Sequence, residues 1–101
     1  MVEKIKIGNK IYRVVVDDAP LNGRGIVGEI NFYKTEIIVS PRLGAQSLCE
    51  TLVHEAVHGM LEFMGEREKS EAEDTVNRIT SGILMLVRDN PELFLKFARS
   101  E

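Results

Sequence analysis

The sequence predicts an α+β domain: a sheet of about four strands packed on two long helices and a short C-terminal helix. Three observations carry this. Apolar residues alternate with polar ones through the first 40 residues, the period of a half-buried strand. From Leu48 onward they recur instead at helical spacing, in two long runs. Glycine, asparagine and proline fall at the boundaries between these stretches. At 101 residues the chain is expected to form one domain over residues 1–101, small but able to bury a core.

The elements follow in order. Ile5 and Ile7 alternate with lysines, and Gly8-Asn9 suits a two-residue hairpin turn. Tyr12, Val14 and Val16 alternate on the return strand. Residues 17–25 read as loop, because Pro20, Asn22, Gly23 and Gly25 break any regular pattern. Strands resume at about Val27 to Phe32, with Ile30 and Phe32 on one face, and at Glu36 to Val39; Tyr33-Lys34-Thr35 turns between them. The sheet is antiparallel or mixed, and either of these last two strands is a candidate for its edge. Ser40-Pro41 then reads as a cap, since proline suits a first helical position. The first helix carries Leu48, Leu52 and Ala56, with Cys49, Val53, Val57, Met60 and Met64. It is apolar over most of its circumference, which predicts a central, buried position. Cys49 reads as a small buried hydrophobe. Gly65 suits the end of this helix, and Glu66-Arg67-Glu68-Lys69 reads as a polar turn. A second helix runs from Ser70 to about Val87. Asn90-Pro91 opens the last one, roughly Glu92 to Ala98, with Leu93, Phe94 and Phe97 apolar.

The first helix holds an HExxH motif, His54-Glu55-Ala56-Val57-His58, and these are the only two histidines. Residues four apart on a helix lie about 6 Å apart along the axis and about 40° around it. Both imidazoles therefore reach one metal ion from one side. Glu55 lies about 60° from His58 around the helix, placed to hold a water at that metal. At ordinary composition such a motif arises by chance in on the order of a few in a thousand chains this short. The bland alternative is a pair of core histidines bonded to backbone. It is disfavoured because two buried histidines beside a carboxylate are costly without partners.

A catalytic zinc usually has three protein ligands and one open position. With no third histidine, the remaining ligand is expected to be a carboxylate. The metzincin pattern is excluded, because Leu61 and Met64 stand where it needs glycine and histidine. Glu62 lies about 12 Å along the axis from His54, too far on one straight helix. The ligand is expected from the second helix, with Glu71, Glu73 and Asp74 as candidates. Glu73 has a competing role: Ser70-Glu71-Ala72-Glu73 spells a capping box.

The segment Glu73-Asp74-Thr75-Val76-Asn77-Arg78-Ile79-Thr80 resembles the E-x-x-A-N-x-F-A stretch that follows HExxH in ImmA/IrrE-type metallopeptidases. These are compact gluzincin-like proteins common in bacterial mobile elements and phages. The resemblance covers roughly residues 28 to 88. Val76, Ile79 and Thr80 depart from the pattern, standing for Ala, Phe and Ala. It implies a small zincin-like domain with Glu73 as third ligand. Asn77, one turn later, would then face the same way and orient a ligand histidine. It also implies a regulatory peptidase that cleaves a protein partner.

Composition narrows the partners. The net charge is -3 with a pI near 5.4 and no basic patch is evident, so nucleic acid is not an expected partner. No apolar run approaches membrane-spanning length and the N-terminus has no signal-peptide pattern, so no membrane association is expected. One cysteine forbids an internal disulfide, and the cytoplasm is the expected compartment.

The expected function is thus a zinc endopeptidase acting on a protein or peptide. Zn2+ is held by His54, His58 and Glu73, and Glu55 is the general base. Tyr12, Tyr33, Arg24 and Arg42 are the residue types available to stabilise an oxyanion. Glu50, one turn before His54, reads as an exposed position. The rival reading is a non-catalytic or latent module that binds a protein through its edge strand. A base retained beside the ligands opposes it.

Overall fold

Ile5 and Ile7 anchor β1 (Lys4–Ile7) and Tyr12 and Val14 anchor β2 (Lys10–Val16), in the computed structural model, which describes residues 2–100. The antiparallel register pairs Ile7 with Lys10, so Gly8-Asn9 is the two-residue turn. Gly8 has φ +61° and lies against the Phe63 ring, where a Cβ would collide. After β2 the chain makes a single 3-10 turn, Ala19–Leu21, whose Leu21 is buried. It then forms the hairpin of β3 (Gly28–Asn31) and β4 (Glu36–Val39). Asn31 Oδ1 accepts from the amides of Tyr33 and Lys34 at 3.0 and 2.9 Å and shapes this turn.

The sheet order is β1-β2-β4-β3. β4 runs parallel to β2 and antiparallel to β3, so the sheet is mixed. Of the two candidates for the edge, β3 holds it and β4 is interior.

α1 (Ala45–Phe63) lies across one face of the sheet. Tyr12, Ile37, Val39 and Leu52 make one buried cluster between them. On the other side of α1, Val57 and Leu61 meet Val76 of α3 (Glu73–Asp89). This double contact is why α1 is apolar around most of its circumference. Ile37, Val39 and Val76 are fully buried, each contributing about 1.5–3 kcal/mol. Gly59 brings α1 close to the sheet: a Cβ there would stand 2.7 Å from Ile7 Cδ1 and 3.0 Å from Ile30 Cδ1.

Several local expectations are corrected. Ser40-Pro41 does not open α1. Ser40 Oγ accepts from the Arg42 amide at 3.2 Å in a turn, and α1 starts at Ala45 after Gly44. Cys49 is exposed, not buried. The first turns of α1, 45–50, are exposed apart from the half-buried Leu48, so the apolar stripe there outruns its cover. Gly65, at φ +77°, ends α1 in a Schellman motif: Glu66 N–H bonds Leu61 carbonyl at 2.8 Å and Gly65 N–H bonds Glu62 carbonyl at 3.1 Å. The segment after it is not a polar turn leading into a helix at Ser70. It is a separate short helix, α2 (Arg67–Glu71), and α3 begins only at Glu73. Pro91 opens α4 (Pro91–Arg99) as expected, but the Asn90 side chain turns back to the Leu86 carbonyl at 3.1 Å and closes α3 instead.

The described residues thus form a small α+β domain with a four-stranded mixed sheet and four helices. None of those helices is long and apolar enough to cross a membrane.

Candidate metal centre

The middle of α1 puts His54 and His58 on one side, ring centroids 5.0 Å apart. Their Nε2 atoms face each other at 3.3 Å. Glu73, first residue of α3, reaches across from the facing helix. Its Oε2 is 3.1 Å from His54 Nε2 and its Oε1 is 2.8 Å from His58 Nε2. The three residues each offer one ligand atom within 4.8 Å of the others, a group able to hold a metal ion. Glu71 and Asp74, the other candidates for third ligand, are exposed and lie outside this group.

The capping box that competed for Glu73 does not form. Ser70 lies within α2, and α3 has Ala72 at its N-cap with no side-chain cap bond. Ser70 makes a different pair of contacts, both to His58. Its carbonyl lies 2.5 Å from His58 Nδ1 and its hydroxyl donates to the His58 carbonyl at 3.0 Å. A carbonyl only accepts, so Nδ1 is the donor in this contact and Nε2 is the ring nitrogen turned toward Glu73.

The donor set fits a small divalent ion. A bare imidazole nitrogen and a carboxylate oxygen at 2.8 Å repel unless a cation or a proton lies between them. Metal–ligand bonds of about 2.0–2.2 Å in a tetrahedron put neighbouring donors roughly 3.3 Å apart. The 3.3 Å between the two Nε2 atoms matches that edge, and the 3.1 and 2.8 Å from Glu73 to them fall somewhat short of it.

Glu55 is buried, 7 % exposed, with Oε2 4.0 Å from His54 Nε2. Burial pushes its carboxyl up to about 7, with the charges of Glu73 and Glu29 adding to the rise and a hydrogen bond from the Ile30 amide opposing it. Gly28 makes room for it. A Cβ there would stand 2.5 Å from Thr51 Cγ2 and 3.6 Å from Glu55 Cγ, so β3 can press against α1 only without a side chain.

These residues floor an open cleft of about 1110 Å³. Residues 26–30, in and before the edge strand, form one wall. The other is a stripe of α3 that includes Glu73, Asn77, Thr80 and Arg88. Asn77 lines the cleft one turn after Glu73, but the hydrogen bond that orients His58 comes from Ser70. Nothing in the sequence marked Ser70 for this, because its carbonyl is backbone and its position depends on α2.

None of the residues considered for oxyanion stabilisation lines the cleft. Tyr12 is in the core and Tyr33 is 96 % exposed at the β3–β4 turn. Arg24 pairs with Glu29, and Arg42 with Asp18 at 3.3 Å. The one cationic side chain lining the cleft among the described residues is Arg88. Glu50 lies at the exposed rim.

Comparison of the chain with models of known protein families, with curated proteins and with solved structures finds no significant match.

Proposed function

We propose that this chain is a minimal zincin of the ImmA/IrrE type, a zinc-dependent endopeptidase acting on a protein or peptide. The observation that carries the reading is the meeting of Glu73 with both motif histidines beside a buried Glu55. A closed structural site would need four protein ligands and no base. Here three candidate ligands meet on the floor of an open cleft, which would leave room for water beside an ion they held.

His54, His58 and Glu73 would hold the ion, and Ser70 fixes the tautomer in which His58 presents Nε2. Zinc, when bound, lends Lewis acidity to a substrate carbonyl and to water. Glu55 takes the proton of the attacking water and delivers it to the leaving amine. Its carboxylate lies 4.0 Å from His54 Nε2, close enough to reach a water held at the centre. The edge strand β3 offers unpaired backbone groups along the cleft, a place for an extended peptide.

The test is a comparison of zinc-loaded wild type with Glu55→Gln on a mixed peptide library. Loss of cleavage in the variant with zinc retained supports the reading. No cleavage by either protein would favour a non-catalytic module.

A further inference from the structure

We propose that the cleft takes a cationic stretch of polypeptide, with Glu50 and Glu71 as its specificity-determining carboxylates. The proposal rests on the peptidase reading above and names the substrate class of that site.

Five carboxylates line the cleft, those of Glu29, Glu50, Glu55, Glu71 and Glu73, against the single guanidinium of Arg88. Glu55 and Glu73 belong to the centre itself. Glu29 is answered by Arg24. Arg88 is held by Asp89 at 3.1 Å. Arg67, whose charge lies within range of Glu71, is committed to Glu62 at 3.1 Å. Glu50 and Glu71 remain, neither within ion-pair distance of a cation among the described residues. Glu50 accepts only from the Gln46 amide, at 3.2 Å.

Both stand near the centre. Glu50 lies one turn before His54 on α1. Glu71 follows Ser70, which clasps His58. A peptide lying along the cleft therefore meets both carboxylates. Charges of one sign along a concave wall reinforce one another, because the protein interior focuses their field into the cleft.

A second observation points to a ligand. Thr80 Oγ1, on the α3 wall, is buried without a hydrogen-bond partner, the one such side-chain atom among the described residues; Thr80 is 6 % exposed. Buried hydroxyls are almost always paired. A hydroxyl both donates and accepts, so it suits the main chain of a peptide whatever its side chains. Thr80 holds the backbone, and the two glutamates select the charge.

Binding separates this inference from the peptidase reading. Two labelled peptides of equal length and apolar content would be used, one carrying lysines where the other carries glutamates. Kd would be measured on zinc-loaded Glu55→Gln protein, so that no peptide is consumed. The lysine peptide is expected to bind roughly tenfold tighter, two partly exposed ion pairs' worth. The difference should shrink from about 0.05 to about 0.5 M salt. Adding Glu50→Lys and Glu71→Lys, both exposed positions whose fold circular dichroism verifies, should reverse the preference. Thr80→Val should weaken both peptides alike; an unchanged Kd would overturn its assignment. Equal or absent binding of the two peptides, or a preference untouched by the double substitution, would overturn the proposal. Preferential binding without cleavage by the wild type would instead count against the peptidase reading alone.

Discussion

Ser70 and His58 hold each other by two hydrogen bonds: His58 Nδ1 donates to the Ser70 carbonyl at 2.5 Å, and Ser70 Oγ donates to the His58 carbonyl at 3.0 Å. The pair ties α2 to the motif helix and sets which nitrogen of His58 faces Glu73. One end of this clamp is backbone, so substitution can remove only the other.

Ser70→Ala should therefore destabilise the fold by about 1 kcal/mol, a drop of roughly 4–8 °C in Tm for a domain of this size. Zinc affinity should fall only modestly, since the carbonyl remains. Thermal melts with and without zinc check this. A loss of zinc as large as that from removing a ligand would show that the hydroxyl, and not the carbonyl, positions His58.

Glu73→Ala should sharply reduce zinc occupancy, while Glu71→Ala and Asp74→Ala leave it near one ion per chain. The difference follows from contact, since Glu73 alone of the three reaches both imidazoles. Elemental analysis of the three purified variants reads the outcome. Retention of zinc by Glu73→Ala would remove the third ligand from the account.

Gly28→Ala should cost about 1–3 kcal/mol, because its Cβ would meet Thr51 Cγ2 at 2.5 Å and force β3 away from α1. Thr51→Ser removes that methyl and should restore most of the loss. Chemical denaturation of the single and double variants measures the coupling. Additive effects would show that the close approach is not what Gly28 provides.

In protein stripped of metal, Glu55 should make stability fall as pH rises. Its folded-state value, about 7, lies above the ordinary 4.5. The folded protein thus binds the proton more tightly than the unfolded chain between these values. The contribution is fully present below about pH 4.5 and lost by the time pH passes about 7. It amounts to at most about 3 kcal/mol. Glu55→Gln should flatten this slope; denaturant midpoints across that range, with chelator present, provide the check. An identical slope in both proteins would mean that Glu55 is not buried as described.

The shared face of His54 and His58, with Glu55 beside it, was legible because helical spacing alone decides what shares a face; Glu73 stood out from Glu71 and Asp74 only through the resemblance to the ImmA/IrrE-type segment. His54, Glu55 and His58 need only α1 to be a helix. The strands were legible from alternation, as at Ile5, Ile7, Tyr12 and Val14. What could not be read depended on contacts between distant segments. Ser70-x-x-Glu73 has the local pattern of a capping box, but tertiary contacts with His58 claim Ser70 first. Cys49 continues an apolar stripe, yet nothing covers it, and periodicity does not say where a partner ends. The place of β3 at the edge follows from β4 inserting beside β2, a pairing between segments about twenty residues apart. The places of Thr80 and Arg88 in the cleft wall follow from the path of α3 past α1, which no short motif encodes.

The most direct measurement is X-ray absorption spectroscopy of the zinc-loaded protein. One ion per chain is expected, with two imidazoles and oxygen ligands at about 2.0–2.2 Å, and in Glu73→Ala at equal zinc concentration the imidazole signature should give way to that of hydrated zinc. A sulfur shell at about 2.3 Å, which only Cys49 or a methionine supplies, or failure to bind zinc at all, would contradict it.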